Sequence, residues 1–440
     1  MSATVGPARS GRRDDPDAAE DAEAGPPATA GRGRDAGPVT GALALLDRPL
    51  TSYYLVLGCT LLLLALGLVM VLSTSSAVAL DSGAPPFGAF EKQLLGAALG
   101  LPLMWLVAKF PPRLFRAFGY PLLGLSVLGL LLVLVKGTTV DGAERWINLP
   151  GMGGVQLQPS EFAKLAFVIW GADLLARKEK LGLLTDWRQL LIPLLPGAAI
   201  LSMLVMLGND LGTTFILVVI FLALLWVIGT PARLLGGMIG LMVFVMLVLA
   251  VVAPYRAERL TGFLSAQAHS SSQGYQQLQG EYSVGSGGVF GVGLGAGRQK
   301  WGWVPNSTTD FIFAILGEEL GLVGTLCVTF LYGGLAYGGL RIARRVQDPF
   351  MRLAAAATTM WIVLQALVNI GAVIGLLPIT GIPLPLISEG LSSLLVTMLA
   401  LGMLMAFARH EPGARQALAA AGPSVPRRVL SWLGLGRARN

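Results

Sequence analysis

Charge is scarce in this sequence: 13% of its 440 residues are Asp, Glu, Lys or Arg. Soluble globular domains usually carry about twice that share, roughly 25%, so a soluble globular fold is excluded for most of the chain. Cysteine is limited to Cys59 and Cys327, both within apolar runs, which argues against a disulfide framework or a cysteine metal cluster. Histidine is limited to His269 and His410, which argues against a multi-histidine metal site.

Hydrophobic residues dominate instead. They make up 54% of the chain, and the mean hydropathy is +0.68. Several apolar runs reach the roughly 20 residues that cross a bilayer as a helix. The runs are continuous rather than alternating, which argues against an outer-membrane barrel. We therefore predict an all-α polytopic membrane protein. The net charge of +7 is explained by cations that flank membrane helices, so no nucleic-acid partner is expected.

The apolar runs predict about ten transmembrane helices. They lie near residues 53–75, 92–109, 115–135, 160–177, 188–207, 211–229, 232–253, 311–338, 350–377 and 390–408. The connection between helices 7 and 8, residues 254–309, is by far the longest. Loops of this length are usually functional or disordered. Its several Tyr and Trp residues suggest that part of it packs against the membrane surface.

The distribution of loop cations predicts the orientation. Alternate connections carry most of the Lys and Arg residues, for example Lys178 and Lys180 in one and Arg344 and Arg345 in another. Because cytoplasmic loops are enriched in these residues, we expect those connections and both termini in the cytoplasm. The large loop is then extracellular. The predicted parts are a disordered tail at 1–47, a membrane domain at 48–410 and a basic cytoplasmic tail at 411–440.

Asp310 is the most informative single residue, because it lies where the long loop meets an apolar helix. Ionisable groups at membrane depth are functional candidates by default. It could cap the helix that begins at Phe311, the commonest use of Asp at such a position. Alternatively it could act as a general base or bind a hard divalent cation.

A second polar motif opens the fourth apolar segment. Glu161 and Lys164 are three residues apart on one helical face and can form an ion pair, with Arg145 shortly before them. Two interpretations remain open: a local pair in an N-terminal helical turn, or a buried pair in the wall of an outward-facing cavity. Asp210, in a short polar turn, is expected mainly to cap the next helix.

Two further segments are candidates for substrate contacts. The Gly-rich stretch 285–297 is followed by Arg298 and Lys300, and its backbone N–H groups could form a nest for phosphate; a flexible surface loop is the alternative. Residues 375–393 contain three closely spaced prolines and are too apolar for a solvated loop. They predict an irregular or re-entrant segment with Ser388 at the lip of a cavity.

These motifs together resemble the shape, elongation, division and sporulation family, which includes FtsW, RodA and SpoVE. The resemblance covers about residues 48–410. It is carried by Gly142-Ala-Glu-Arg-Trp-Ile, Gln158-Pro-Ser-Glu-Phe-Ala-Lys, Asp210-Leu-Gly-Thr-Thr, Thr309-Asp-Phe-Ile-Phe-Ala-Ile-Leu-Gly-Glu-Glu-Leu-Gly and Leu377-Pro-Ile-Thr-Gly-Ile-Pro-Leu-Pro-Leu-Ile-Ser. The sequence around Arg48 and residues 408–413 is most similar to the division branch of actinobacteria.

The resemblance implies a glycosyltransferase of the bacterial cytoplasmic membrane, at the division septum. It would polymerise lipid II, an undecaprenyl-pyrophosphate disaccharide, into peptidoglycan. Asp310 inherits the role of the family's essential catalytic residue. Glu161 and Lys164 match functional positions of the family's cavity. Arg145, Lys164, Arg298 and Lys300 could supply positive charge to the leaving pyrophosphate, and Ser388 is a further candidate for substrate contact. Mg²⁺ or Mn²⁺ is implied as cofactor, with Asp310 as its candidate ligand. The implied partners are a class B penicillin-binding protein, which is the cross-linking transpeptidase, and other divisome proteins.

Alternative functions are a lipid II flippase, a non-catalytic scaffold for the transpeptidase, and an elongation-type RodA role. A flippase needs a polar path through the bilayer, whereas the polar motifs here cluster in its outer half. Asn306, Thr308, Glu389 and Leu391 differ from the family's usual pattern.

Overall fold

A computed structural model describes residues 49–82, 85, 87–140, 143–148, 156–252 and 273–420. These residues belong to one compact unit of the chain, Asp47–Asn440. The predicted tail at 1–47, the end of the second tail (421–440) and the first part of the long loop (253–272) lie outside the described residues.

The described residues are mainly helical. In chain order, the helices are α1 (Thr51–Ser82), α2 (Gly88–Val107), α3 (Pro112–Lys136), α4 (Pro159–Lys180), α5 (Trp187–Leu191), α6 (Leu194–Leu207), α7 (Leu211–Val227), α8 (Ala232–Val252), α9 (Gln273–Ser286), α10 (Ile312–Arg345), α11 (Pro349–Val373), α12 (Leu391–Ala408) and α13 (Ala414–Ala420).

The prediction of an all-α fold needs one correction, because a small sheet follows α3. Its strands are β1 (Thr138–Val140), β2 (Ala143–Asn148) and β3 (Gln156–Leu157), paired antiparallel in the order β1-β2-β3. Threonine, valine, isoleucine and tryptophan favour strands, and they are concentrated in β1 and β2. The sheet places Arg145 and Trp146 beside the start of α4.

Five helices of the described part are long and apolar enough to cross a membrane. They are α1 (over Thr51–Ala77), α3, α10, α11 and α12. Shorter apolar helices are α6, α7 and the Ala232–Val245 part of α8. A membrane fold with several spanning helices is therefore confirmed, whereas the number of ten remains a prediction.

Helices α4, α11 and α12 are mostly buried in the fold. Almost every residue of α4 from Pro159 to Ala176 is buried, including Glu161, Lys164 and Asp173. Helix α4 packs against α3, α7 and α11, and α11 also packs against α10. Charged residues lower the hydropathy of α4, but its neighbours enclose it, so it does not need an apolar outer face.

Some helix boundaries differ from the prediction for identifiable reasons. Helix α1 continues past the polar run at 73–76, because Thr74 and Ser76 donate their hydroxyl groups to Met70 O and Leu72 O, one turn earlier. The predicted segment 188–207 is divided into α5 and α6, with Pro193 between them. Helix α10 contains a break at Gly321, where φ is 67° and ψ is −162°.

Candidate active site

A cavity of about 210 Å³ lies where β2, α4, α7, α11 and the segment before α10 meet. It contains both cationic and anionic side chains, which is unusual in so apolar a protein. Its lining residues are Arg145, Trp146, Gln158, Glu161, Lys164, Asp210, Thr213, Ile216, Asn306, Thr309, Asp310, Gln365, Gly381, Ile382, Pro383, Glu389, Gly390 and Ser393. Four of the predicted site residues, Arg145, Glu161, Lys164 and Asp310, are thus brought together.

Asp310 ends a turn in which three successive backbone carbonyl groups each accept a hydrogen bond. Thr308 O accepts the N–H of Glu389 at 3.0 Å, and Thr309 O accepts the hydroxyl of Ser388 at 2.6 Å. Asp310 O accepts the side-chain amide of Asn369 at 2.7 Å. These donors come from α11 and from the segment between α11 and α12. Holding a functional side chain on a fixed backbone reduces the cost of orienting it for reaction.

Asp310 does not occupy the N-cap position of α10. The helix begins at Ile312 and Phe311 is its N-cap residue. Instead, Asp310 is half-buried and lines the cavity. This placement favours the chemical interpretation of Asp310 over the capping interpretation.

Glu161 and Lys164 form a buried ion pair in the opposite wall. Lys164 Nζ lies 2.8 Å from Glu161 Oε1, and both side chains are 2% exposed. Lys164 also donates to Gln365 Oε1 at 3.2 Å and lies 5.0 Å from the ring centroid of Trp361. Glu161 Oε2 is buried without a hydrogen-bond partner among the described residues. An unpaired, buried carboxylate oxygen is costly, so Glu161 Oε2 is a candidate contact for a donor or cation that enters the cavity.

Asp210 has the capping role expected from the sequence and also lines the cavity. Its Oδ1 accepts the N–H of Thr213 at 3.0 Å, and its Oδ2 accepts the Thr213 hydroxyl at 2.8 Å. Gln158 Nε2 donates to Oδ2 at 3.3 Å. One carboxylate therefore fixes the start of α7 and contributes negative charge to the cavity.

The remaining predicted site residues lie elsewhere. Ser388 lies below the cavity surface, where its hydroxyl accepts the N–H of Leu384 at 2.7 Å and donates to Thr309 O. Lys300 is 3% exposed and its Nζ contacts Glu319 Oε1, Ser73 Oγ and Gly295 O, each at 2.8 Å. The backbone N–H of Arg298 donates to Glu318 Oε1 at 2.8 Å, while its side chain is exposed.

The Gly-rich stretch has a structural use for its N–H groups. Val292 N–H donates to Glu318 O and Gly293 N–H donates to Glu319 O, at 2.9 and 3.1 Å. These donors are engaged with α10, so the geometry favours a structural role over a phosphate nest. The sequence alone does not reveal this role. The carbonyl groups that accept these N–H groups belong to α10, and they come close to the Gly-rich stretch only in the folded chain.

Three positions that differ from the usual family pattern have well-defined local surroundings. Glu389 lies in the connection between α11 and α12, where burial raises the pKa of its carboxyl, opposed by a hydrogen bond from Thr308 and by Lys92. Asn306 has a φ of 55°, which asparagine adopts more readily than most residues. Leu391 begins α12 and faces α2, since a Cβ on Gly96 would lie 2.8 Å from its Cδ1.

Gln365 and Asn369 were not singled out by the sequence analysis. Gln365 accepts from Lys164 and from the Trp361 indole, and it donates to Pro383 O at 2.9 Å. Asn369 donates to Asp310 O and to Ile382 O, at 2.7 and 2.8 Å. The two amides are four residues apart on one face of an apolar helix. Polar side chains at that spacing in a membrane segment are a signal that could have identified them.

The donor set also bears on the divalent cation implied by the resemblance. Among the described residues, no group of three or more His, Cys, Asp or Glu side chains is placed to hold a metal ion. The cavity offers carboxylates singly, including Asp310 and the unpaired Oε2 of Glu161. Mg²⁺ is commonly held by one or two carboxylates together with substrate phosphates. The residues fit a cation shared with a phosphate-bearing substrate.

Comparison with known proteins agrees with the motifs. The sequence pattern of the FtsW, RodA and SpoVE cell cycle proteins matches residues 53–412. A probable peptidoglycan glycosyltransferase FtsW of Mycobacterium tuberculosis is 41% identical over 391 residues, 88% of this chain and 73% of the relative. Stage V sporulation protein E of Bacillus subtilis is 37% identical over 356 residues, 80% of this chain and 95% of the relative.

Solved structures show the same fold. A chain from a structure described as the coordination of polymerization and crosslinking by a peptidoglycan synthase complex matches with a TM-score of 0.66. That match is 28% identical and covers 81% of this chain and 97% of the other. The rod shape determining protein RodA of Thermus thermophilus matches with a TM-score of 0.59, at 27% identity, covering 84% and 99%. The chain therefore belongs to the FtsW, RodA and SpoVE family of cell cycle proteins.

Proposed function

We propose that this protein is a peptidoglycan glycosyltransferase that polymerises lipid II at the outer face of the cytoplasmic membrane. The observation that carries the proposal is the cavity itself. The turn that ends at Asp310 is fixed there by hydrogen bonds to the carbonyl groups of Thr308, Thr309 and Asp310. The cations Arg145 and Lys164 line the same space. FtsW relatives described as probable peptidoglycan glycosyltransferases support the assignment.

The residues suit an attack by a sugar hydroxyl on an anomeric carbon. The acceptor's 4-hydroxyl oxygen forms the new bond to the donor's anomeric carbon, and the bond from that carbon to the pyrophosphate oxygen breaks. Asp310 accepts the hydroxyl proton as general base. The pyrophosphate leaves as an anion and needs no protonation, so one catalytic carboxylate suffices, unlike the carboxylate pair of glycosidases.

Lys164 and Arg145 face the charge that develops on the leaving group. Fixed cations in a water-poor site stabilise such charge strongly, because they need little reorganisation during the reaction. Of the two cations that the sequence suggested for this task, Lys300 pairs with Glu319 instead, and Arg298 has an exposed side chain outside the cavity lining. A bound Mg²⁺ or Mn²⁺, held by Asp310 with the substrate phosphates, would add positive charge at the same place.

The proposed topology follows from the loop cations. We place about ten spans in the cytoplasmic membrane, both termini in the cytoplasm and the 254–309 loop outside. We also propose a septal role with a class B penicillin-binding protein and other divisome proteins. The support is the 41% identity to mycobacterial FtsW and the structural match to a peptidoglycan synthase complex.

The deciding experiment is glycan polymerisation by purified protein, alone and with its cognate transpeptidase. Labelled lipid II with Mg²⁺ or Mn²⁺ is supplied, and products are separated on a gel. We expect long glycans from the native chain and none from Asp310→Asn. Asp186→Asn is the matched control, because Asp186 is an exposed residue at the start of α5, outside the cavity lining.

Retained polymerisation by a folded Asp310→Asn protein would refute the general-base assignment. If the native complex folds and binds lipid II but makes no glycan, the scaffold or flippase function replaces this one. A translocation assay in vesicles with the same variants separates those two, because a scaffold moves no lipid II.

A further inference from the structure

The outward surface of the Gly-rich loop is apolar. Residues 287–297 consist entirely of Gly, Ala, Val, Leu and Phe. Val289, Val292 and Leu294 are about half exposed, and Phe290 is 82% exposed. A contiguous exposed apolar surface of this kind marks an interaction site.

The loop is joined to α10 at the break around Gly321. Leu322 N–H donates to Gly288 O and Val323 N–H donates to Val289 O, at 2.9 and 3.1 Å. In the other direction, Glu318 O and Glu319 O accept N–H groups of the loop. The backbone groups released by the helix break are thus paired with the loop, which is the condition for irregular backbone at membrane depth.

Three of the charged side chains near the loop turn inward, whereas Arg298, directly after it, is exposed. Glu319 and Lys300 are 0% and 3% exposed and pair with each other at 2.8 Å, with Ser73 contributing a further hydrogen bond. Glu318 is buried and accepts the backbone N–H groups of Arg298 and Gln299. The inner side of the loop is therefore polar and the outer side is apolar.

The apolar surface continues along α10. Leu322, Val323, Leu326 and Phe330 are exposed and share one helical face. From Gly321 to Arg341 this helix rises roughly 30 Å, at about 1.5 Å per residue, which matches the hydrocarbon thickness of a bilayer. With the arginines at 341–345 at the cytoplasmic boundary, Gly321 and the loop lie at the outer boundary. Trp301 and Trp303, both exposed, suit that depth.

We propose that residues 287–297, with Trp301 and Trp303, form a membrane anchor that enters the outer leaflet. The occupant of this surface is lipid, because it continues directly from the lipid-facing side of a spanning helix. The anchor fixes the depth of the turn that leads to Asp310. The proposal concerns lipid contact and stands whether or not the cavity transfers sugars.

The test is fluorophore depth in nanodiscs of phosphatidylcholine and phosphatidylglycerol that contain the full chain alone. The label is placed on Phe290→Cys in a background with Cys59→Ala and Cys327→Ala. Native Cys327, which is exposed on α10, gives the lipid-facing reference, and Lys180→Cys gives the water-facing one. Quenching is compared between lipid carrying a nitroxide near the top of the acyl chain and iodide in the buffer.

We expect the nitroxide lipid to quench the probe at residue 290 several-fold more strongly than the probe at Lys180→Cys. We also expect the probe at residue 290 to be shielded from iodide. Leu294→Cys provides a second probe if the first variant does not fold. Iodide quenching equal to that at Lys180→Cys would place the loop in water and overturn the proposal. Shielding from both quenchers would also overturn it, because protein and not lipid would then cover the surface.

Discussion

At the scale of single residues, the cavity depends on side chains that hold other groups in place. Asn369 contributes no atom to a proposed chemical step, yet it links the Asp310 carbonyl to that of Ile382. Its Oδ1 is buried without a hydrogen-bond partner among the described residues. Such amides act through orientation, so their loss should affect turnover more than substrate affinity.

We therefore expect Asn369→Ala to lower the kcat of polymerisation by ten-fold or more with little change in the KM for lipid II. The variant leaves two buried carbonyls without this donor, at a cost of about 1–3 kcal/mol for each group left unsatisfied. The measurement is initial rate against lipid II concentration, together with thermal unfolding in detergent. Thr358→Val on the same helix is the control, since Thr358 is buried and its hydroxyl has no partner among the described residues. An unchanged kcat in a folded Asn369→Ala protein would contradict the positioning role.

The Glu161–Lys164 pair can be tested for structural and chemical roles separately. Removing one member leaves an uncompensated buried charge, which typically costs about 3–5 kcal/mol. We expect Glu161→Gln to destabilise the protein and Glu161→Gln/Lys164→Met to recover most of the melting temperature. Polymerisation should stay low in the double variant, because the cation facing the leaving group is absent. Recovery of both stability and activity would show that the pair is purely structural.

The sequence predicted the site in part, for a physical reason visible at this scale. Asp310, Glu161 and Lys164 stand out as ionisable residues in an apolar chain. Gln365 and Asn369 are uncharged, so they do not stand out in the sequence of an apolar segment as an ionisable residue does. Lys300 was assigned to the substrate because its actual partners, Glu319 and Ser73, come near only through folding.

At the scale of elements, α10 combines a long apolar helix with a break near its N-terminal end, at Gly321. The sequence predicts the helix but not the break. The break at Gly321 is explained by its contact with the Gly-rich loop, and that contact exists only in the folded chain. A Cβ on Gly321 would lie 2.3 Å from Gly291 N and 2.6 Å from Val289 O. The sequence also does not predict the small sheet, because its strands are short and lie in a segment interpreted as a loop.

Gly321→Ala should destabilise the protein strongly and lower polymerisation. Gly321 has a φ of 67° and a ψ of −162°, a region essentially restricted to glycine, where another residue costs on the order of 1–3 kcal/mol. The contact with the loop backbone adds to that cost. Gly333→Ala on the same helix is a matched control, because a Cβ there meets nothing within 4 Å. It should be neutral or slightly stabilising, since alanine is the better helix former. Thermal unfolding of both variants checks the expectation, and equal melting temperatures would contradict it.

At the scale of the whole molecule, α4 joins two charged regions. Its first turn carries the Glu161–Lys164 pair, and Asp173, about 18 Å further along at 1.5 Å per residue, meets a cluster of arginines. Arg116 Nη2 lies 2.5 Å from Asp348 Oδ1, and Arg177 Nη2 lies 2.6 Å from Asp173 Oδ2. These contacts tie α3, α4 and the start of α11 together at the end remote from the cavity.

Arg116→Gln should destabilise the fold by about 1–3 kcal/mol, because it weakens the compensation of Asp173, which is 3% exposed. Arg352→Gln breaks a more exposed pair with Glu179 and should cost roughly 1 kcal/mol or less. Melting temperatures of the two variants give the comparison. Polymerisation per folded molecule should be unchanged in both, and equal destabilisation would contradict the argument.

The contact between Thr308 and Glu389 has a consequence for how such proteins diverge. The Glu389 N–H donates to Thr308 O at 3.0 Å, and the Thr308 side chain lowers the pKa of the Glu389 carboxyl, against the effect of burial. Replacing either side chain alone changes the polar surroundings of the other, beside the turn that leads to Asp310. We therefore expect these two positions to change together across lineages, so that an ancestor and its descendants differ at both or at neither.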